Sequence, residues 1–185
     1  VYLSKYFGLE EVADFWESVV KLNNWHQHRI SKLIVTSLYG TITGKKICVL
    51  GFAFKADTND TRESSAINIC KDLLDEGAIL SINDPKVTSD QIANDLGFSE
   101  TDIHNLKEGN WYFEENIDRG FENADAVIIL TEWDVYSKIN WKEASKKMRK
   151  PGWVFDSRSI IPDKSLIGSE LKLWRIGSGS RIKNN

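Results

Sequence analysis

Cysteine is scarce in this sequence, and no disulfide framework can be built from it. The only two cysteines are Cys48 and Cys70, whereas small secreted domains that depend on disulfides carry a dense set. Cys48 lies in a predicted strand and Cys70 on the apolar side of a predicted helix, where small buried thiols are common. Neither has a neighbouring cation or base that would lower its pKa. We therefore expect two reduced core residues and no catalytic cysteine.

Long apolar runs and an excess of one charge are also lacking. No stretch approaches the roughly 20 apolar residues that span a bilayer, and the first residues lack the pattern of a secretory signal. The net charge is -3, with lysine and arginine spread along the chain, which leaves no basic face for a nucleic acid or an anionic membrane. The three histidines have no partners at metal-ligand spacing. These absences favour a cytoplasmic protein without a metal site, a nucleic-acid partner or a membrane partner.

A long amphipathic helix opens the chain. Between residues 10 and 38, apolar side chains recur mainly three or four positions apart, as on one face of a helix. Gly40 and Gly44 then mark a break, and the last residues have linker composition. We therefore predict a helical arm at 1–43, a folded domain at 44–176 and a flexible tail at 177–185.

After the break, strand-like and helix-like segments alternate. Predicted strands lie at 46–50, 79–83, 126–131, 153–155 and 171–176, and predicted helices at 64–76, 88–96 and 140–149. The polar stretch at 98–118 has weak periodicity, and we interpret it as an excursion with an edge strand and a short helix. The alternation predicts an α/β fold, a Rossmann-like parallel sheet with helices on both faces, preceded by the helical arm.

The loop at 51–65 follows the first predicted strand, which is where ligands bind in open α/β sheets. Its sequence, GFAFKADTNDTRESS, has one of the three glycines of a dinucleotide fingerprint and lacks the Gly-Lys-Ser/Thr of a P-loop. Asp60, followed by Glu63, is typical of a capping box. Lys55 and Arg62 place two cations near the helix N-terminus, where the helix dipole disfavours them unless an anion binds. Phosphate is the anion that this pattern favours.

Two side chains at the carboxyl ends of strands are candidate ligand contacts. Phe54 offers a ring to a base or sugar while Lys55 reaches a phosphate, although a packed Phe54 and a solvated Lys55 explain the pattern equally well. Arg158 follows the strand at 153–155 and fits either a phosphate contact or a surface ion pair with Asp156.

Three further polar residues follow predicted strands. Thr131 can donate a hydrogen bond to a ligand, although helix capping by Asp134 is the commoner use of such residues. Asp84 stands where dinucleotide-binding folds place the acid that binds a ribose. It precedes Pro85 and has no glycine fingerprint to accompany it, so we favour a role in a turn.

The same loop carries a resemblance to a known family. The run at 51–65 resembles the hallmark of UDP-glucose dehydrogenases within the UDP-glucose/GDP-mannose dehydrogenase family. The resemblance continues through DPK at 84–86, TEWD at 131–134 and FDSR at 155–158, and it covers nearly the whole chain. Relatives often have glycine where this chain has Ser157, and a special backbone angle there would move the arginine that follows.

The resemblance implies a function for each region. In this family an N-terminal Rossmann domain binds NAD, a long helix joins the halves and forms the dimer, and a C-terminal Rossmann-like domain binds UDP. By similarity, the chain is the helix and the C-terminal domain, with Phe54, Lys55 and Arg158 contacting UDP-glucose and Arg62 reaching NAD across the cleft. The family oxidises C6 of the sugar twice, using a cysteine in a motif that precedes the helix. We expect this chain to bind the UDP-sugar as a homodimer or higher oligomer and to be inactive alone.

Two other functions remain open at this point. The same family acts on other sugar nucleotides, such as UDP-N-acetylhexosamine or GDP-mannose, although the loop at 51–65 favours the UDP-glucose branch. Alternatively, the chain is a non-catalytic nucleotide-binding or assembly module whose helix mediates dimerisation. Such a module would bind nucleotide or self-associate without any gain of activity when the missing half is supplied.

Overall fold

A long helix precedes the sheet. The computed structural model describes residues 1–162 and 164–177, so nearly all of the tail predicted to be flexible lies outside the described residues. The first helix, α1, spans Tyr2–Tyr6, and α2 spans Glu10–Ser37, which confirms the predicted long helix. At 1.5 Å per residue, α2 is roughly 42 Å long. In the part of the chain that the structure describes, every helix, α2 included, is too short or too polar to cross a bilayer.

Strands and helices then alternate as the sequence predicts, with ends that differ by a few residues. The strands are β1 (Lys46–Leu50), β2 (Ile79–Asn83), β3 (Trp111–Phe113), β4 (Ala126–Ile129), β5 (Trp153–Asp156) and β6 (Lys172–Arg175). The helices are α3 (Ser65–Asp75), α4 (Ser89–Leu96), α5 (Ile117–Gly120), α6 (Asp134–Ser137) and α7 (Trp141–Lys147), with a 3-10 turn at Ile103–Asn105. The predicted excursion with an edge strand is confirmed by β3, whereas α1 and α6 were not predicted.

The six strands form one parallel sheet in the order β3-β2-β1-β4-β5-β6. The chain runs outward from β1 to β3, returns to the other side of β1 and continues to β6. Because crossovers between parallel strands are right-handed, the connections in the two halves lie on opposite faces of the sheet. The predicted Rossmann-like α/β fold is therefore confirmed, and its topological switch point lies between β1 and β4.

The hydrophobic core covers both faces of the central strands. Four of the five residues of β1 and all of β4 are buried, the pattern of a parallel sheet with helices on both sides. The last turns of α2 belong to the same core, since Ile30, Ile34 and Leu38 are buried with the strand residues. This packing fixes the direction of α2 relative to the sheet and brings its middle turns beside the loop that follows β1.

Candidate functional site

The loops after β1 and β4 meet at the switch point. Gly51 has a φ of +94°, and a Cβ built there would lie 2.4 Å from Thr131 Cβ, so only glycine fits this position. Thr131 is buried, and its hydroxyl donates to the Ala53 carbonyl at 2.7 Å. That bond joins the two loops and uses the only hydrogen of the hydroxyl. The alternative that the Thr131 hydroxyl donates to a ligand is therefore wrong.

Asp84, which follows β2, holds the loop after β1 in place by accepting hydrogen bonds from its backbone. Its five donors are the backbone N–H groups of Phe52, Ala53, Lys86 and Val87 and the indole N–H of Trp133. The bonds to the two residues that follow Pro85 confirm the predicted turn role. Because five donors surround this buried carboxylate, it has no free lone pair for a ribose hydroxyl. Asp84 therefore occupies the position of the ribose-binding acid of a dinucleotide-binding fold, but here it stabilises the loop after β1.

The start of α3 differs from the predicted capping box. Ser64 is the N-cap: its hydroxyl accepts from Ala66 N at 3.3 Å and donates to the Phe52 carbonyl at 2.8 Å. Asp60 lies four residues upstream of the cap and instead accepts from the guanidinium of Arg62 at 2.7 and 2.9 Å. Arg62 holds the pKa of Asp60 down to about 2. The charge of Arg62 is therefore balanced within the loop, without a bound anion.

A cavity of about 400 Å³ lies between this loop and α2. The loop contributes Phe54, whose side chain is 48% exposed, together with Glu63 and Ser65. Arg158, which follows β5, lines the same cavity. The structure thus brings Phe54 and Arg158 together, as a shared ligand site requires. Lys55 and Arg62 do not line this cavity, and both residues are exposed.

Arg158 is held by contacts to the neighbouring loops. Its Nε donates to the Leu130 carbonyl at 2.6 Å, and one terminal nitrogen donates to the Phe54 carbonyl at 3.4 Å. Its carboxylate partner is Glu132, with Nε and Oε2 3.4 Å apart. Asp156 accepts from the Arg158 backbone N–H, and its ion pair is formed with Arg175. The alternative of a surface ion pair between Arg158 and Asp156 is therefore wrong.

Ser157 does not disturb the position of the arginine. Its hydroxyl donates to the Ile129 carbonyl at 2.6 Å, and the left-handed backbone angle in this loop falls on Ser159, with a φ of 56°. Because Ser157 has no positive φ, glycine is not required there. The loop at 157–159, which follows β5, therefore reaches the cavity with a serine of ordinary backbone conformation at position 157.

Part of the cavity wall comes from α2, which sequence reasoning treated only as an arm. Asn23, Asn24, His26 and Gln27 face the cavity, and Gln27 is fixed by a 2.6 Å hydrogen bond from Asn68 of α3. Asn23 and Gln27 are four residues apart and so share a helix face. The sequence signal that could have predicted this wall is the pair of amide side chains, Asn23 and Gln27, on the helix face that continues into the core.

A larger cavity lies at the far edge of the sheet and does not suit a phosphate. Its volume is about 900 Å³, and its lining includes four carboxylates and one arginine. The carboxylates are those of Glu100, Asp102, Glu114 and Glu115. Negative charge repels a phosphate, so the smaller cavity beside Arg158 is the better candidate. Among residues 1–162 and 164–177, no group of three or more histidine, cysteine, aspartate or glutamate side chains is placed so that it could hold a metal ion.

Comparisons with known proteins agree with this geometry. A protein-family model described as the UDP-glucose/GDP-mannose dehydrogenase family, UDP binding domain, matches residues 48–163. The chain belongs to the UDP-glucose/GDP-mannose dehydrogenase family. The matched span contains Phe54, Lys55, Arg62 and Arg158, the four site residues that the sequence resemblance points to. Members of this family are dehydrogenases, so the chain derives from a family of enzymes.

Individual relatives match most of this chain but only part of their own length. The UDP-glucose 6-dehydrogenase of Caenorhabditis elegans is 39% identical over 180 residues, which is 96% of this chain and 37% of that protein. That of Pongo abelii is 44% identical over 165 residues, 87% of this chain and 33% of that protein. The chain therefore spans about a third of the length of the curated relatives that it matches.

A solved structure of the same family shares the fold. It is a UDP-glucose dehydrogenase from the hyperthermophilic archaeon Pyrobaculum islandicum, with a TM-score of 0.69 and 24% sequence identity. The match covers 94% of this chain and 34% of that chain. The helix and the sheet described above therefore have the same fold as the matched part of that structure.

Proposed function

We propose that this chain is the UDP-sugar-binding part of an NAD-dependent UDP-glucose 6-dehydrogenase, which oxidises C6 of UDP-glucose in two steps to UDP-glucuronate. One observation carries the proposal: Phe54 and Arg158 line one cavity at the carboxyl edge of the sheet, inside the span that matches the UDP binding domain. Identities of 39% and 44% to UDP-glucose 6-dehydrogenases support the choice of UDP-glucose over other sugar nucleotides.

Each proposed contact follows from the chemistry of the side chain. The guanidinium of Arg158 presents paired N–H donors that match a diphosphate. The half-exposed ring of Phe54 offers an apolar face to the base or the sugar. Lys55 is the next residue and is exposed, so its flexible ammonium can reach a phosphate from the rim of the cavity. The amides of Asn23 and Asn24 add hydrogen-bonding groups on the opposite wall.

The residues described here fit NAD only at the edge of the site. The crevice of this domain has a single glycine in its first loop, and Asp84 is surrounded by five donors, so neither feature of a dinucleotide site is available. Arg62 has an 87% exposed side chain, which suits a contact to NAD held by another domain. In the family reaction NAD accepts the hydride removed from C6. The task of this chain is to bind and orient the sugar nucleotide.

We propose further that residues 1–43 form an assembly arm and 44–176 the UDP-sugar-binding domain. The first half of α2 supports this division, because several large apolar side chains there are exposed, among them Phe15, Trp16 and Val20. Exposed apolar groups grouped in this way are typical of a protein interface. A homodimer or higher oligomer formed through the arm would cover them. The two free cysteines support a reducing, cytoplasmic location.

Calorimetric titration of the chain with UDP-glucose, UDP and NAD tests the proposed function. We expect binding of both uridine ligands and none of NAD, because the uridine site is on this chain and its own dinucleotide crevice is blocked. Tight binding of NAD would contradict the assignment of the two halves. An absence of UDP binding at millimolar nucleotide would contradict the site itself.

A further inference from the structure

Glu132 forms an ion pair with Arg158 but does not itself line the cavity. Oε2 of Glu132 is 3.4 Å from Nε of Arg158, and no other cation forms an ion pair with it among the described residues. The same oxygen is shielded from solvent and has no hydrogen-bond partner in the part of the chain that the structure describes. A carboxylate oxygen that has lost water without gaining a donor is costly unless a nearby charge balances it. Arg158 supplies that charge.

The contact is electrostatic rather than directional. The Nε hydrogen of Arg158 is donated to the Leu130 carbonyl at 2.6 Å. Glu132 therefore lies near the positive charge of the guanidinium without accepting a hydrogen bond from Nε. A second bond, from the guanidinium to the Phe54 carbonyl, fixes the other end of the group. Two backbone carbonyls therefore hold the orientation of Arg158, and Glu132 contributes negative charge without being needed for that orientation.

We propose that Glu132 is the counter-ion of Arg158 in the nucleotide-free protein and that it lowers the affinity of the site by competing with a nucleoside diphosphate for the guanidinium. The inference rests on the proposed function, because it assumes that Arg158 binds the diphosphate. Glu132 and the ligand both present oxyanions to one cation, and their repulsion opposes binding. The carboxylate thus limits how tightly the site holds a uridine diphosphate, which favours release of a charged product.

Titration of the full chain with UDP and with uridine tests the inference, since uridine lacks the charged groups. Glu132→Gln retains the size of the side chain and removes its charge. We expect it to tighten UDP binding by about threefold to tenfold, the range for a partly exposed charge, and to leave uridine binding unchanged. Glu132→Asp retains the charge and should behave as the wild type. Asp134→Asn is the matched control, because Asp134 is a nearby carboxylate that pairs with Lys138 instead.

A double variant shows whether the effect acts through Arg158. In an Arg158→Ala background, Glu132→Gln should no longer tighten UDP binding, because the two side chains then have no pair to break. Unchanged or weaker UDP binding in Glu132→Gln would overturn the counter-ion role, and so would tightening that persists without Arg158. Failure of the wild-type chain to bind UDP would instead overturn the proposed function, which separates the two results.

Discussion

Arg158 connects the loop after β5 to the loop after β1, and it also lines the cavity. Its guanidinium contacts two backbone carbonyls and one carboxylate, while it lines the cavity with Phe54. The resemblance and the position after β5 both indicated this residue. The structure adds that its orientation is set by the chain itself, so a diphosphate would meet a preorganised group.

Replacing Arg158 or Lys55 by alanine should weaken UDP-sugar binding by on the order of 1 to 3 kcal/mol each, the range for lost charge-assisted hydrogen bonds. Calorimetric titration of each variant measures the loss. Arg149→Ala is a matched control, since Arg149 forms an ion pair with Asp125 at the opposite edge of the sheet. Unchanged affinity in both site variants would remove the site assignment.

Cys48 should be unreactive in the folded protein. Burial raises the pKa of Cys48 to about 12, and burial also raises that of Cys70. A free thiol has a pKa of about 8.5, so the thiol is protonated in both the folded and the unfolded state at neutral pH. Because burial disfavours the thiolate, the free energy of unfolding should fall as the pH rises from about 8.5 toward the folded-state pKa of about 12. A thiol reagent at pH 8 should therefore label the urea-unfolded chain quickly and the native chain slowly. Rapid labelling of the native chain would contradict the buried positions.

Several residue roles depended on partners that a linear pattern does not reveal. Asp60 and Glu63 have the spacing of a capping box, yet Asp60 pairs with Arg62 and Ser64 caps the helix. A capping box at Asp60 would need a helix that begins directly after it, whereas α3 begins at Ser65. Asp60 therefore lies in the loop, where it pairs with Arg62 two residues away. The hydroxyl of Thr131 likewise donates to the carbonyl of Ala53, 78 positions away in sequence, and so has no hydrogen for the ligand role that the sequence left open.

The link between β1 and α3 depends on Ser64. Its hydroxyl caps the helix and also satisfies the buried Phe52 carbonyl. Ser64→Ala should therefore lower the free energy of unfolding by about 1 to 3 kcal/mol, more than loss of a cap alone. Thr88→Ala, which removes the exposed cap of α4, is the control and should cost about 1 kcal/mol or less. Equal losses in urea denaturation would contradict the second role of Ser64.

The long helix and the five strands of four or five residues were predictable, whereas most of the shorter elements were not. α2 shows a helical period and most of these strands are apolar runs, and the predicted bounds differ from the observed ones by few residues. Helices α1 and α6 have five and four residues, too few for an apolar period to appear. Asp134 is the first residue of α6 instead of its predicted cap, and the cap position belongs to Trp133. The indole N–H of Trp133 donates to Asp84, which ties the start of α6 to a residue far away in sequence.

At the scale of the whole molecule, α2 serves both the core and the exterior. Its last turns pack against the sheet, its middle turns line the cavity, and its first turns expose apolar side chains. A change in the arm can therefore alter assembly while leaving the sheet intact, because the two halves of the helix contact different surroundings.

Trp16→Glu should convert a dimer of this chain into a monomer. The substitution places a charge in the exposed apolar group of the arm, where burial at an interface would be costly. Light scattering after gel filtration measures the mass. Ile167→Glu, at another exposed apolar residue far along the chain, should leave the mass unchanged. A monomeric wild-type chain, or a Trp16→Glu variant that remains dimeric, would contradict assembly through the arm.

The sequence by itself determined the α/β architecture, the long helix and the loop that carries Phe54, because these depend on periodicity and on motifs within short stretches of chain. Only the tertiary structure decided which polar groups are free for a ligand. Thr131 and Asp84 form hydrogen bonds to the loop after β1 and are not free for a ligand. Arg158 is held beside Glu132, and α2 supplies a wall of the cavity. Those outcomes depend on contacts between segments far apart in sequence, where burial favours a partner for most polar groups and leaves exceptions such as Oε2 of Glu132.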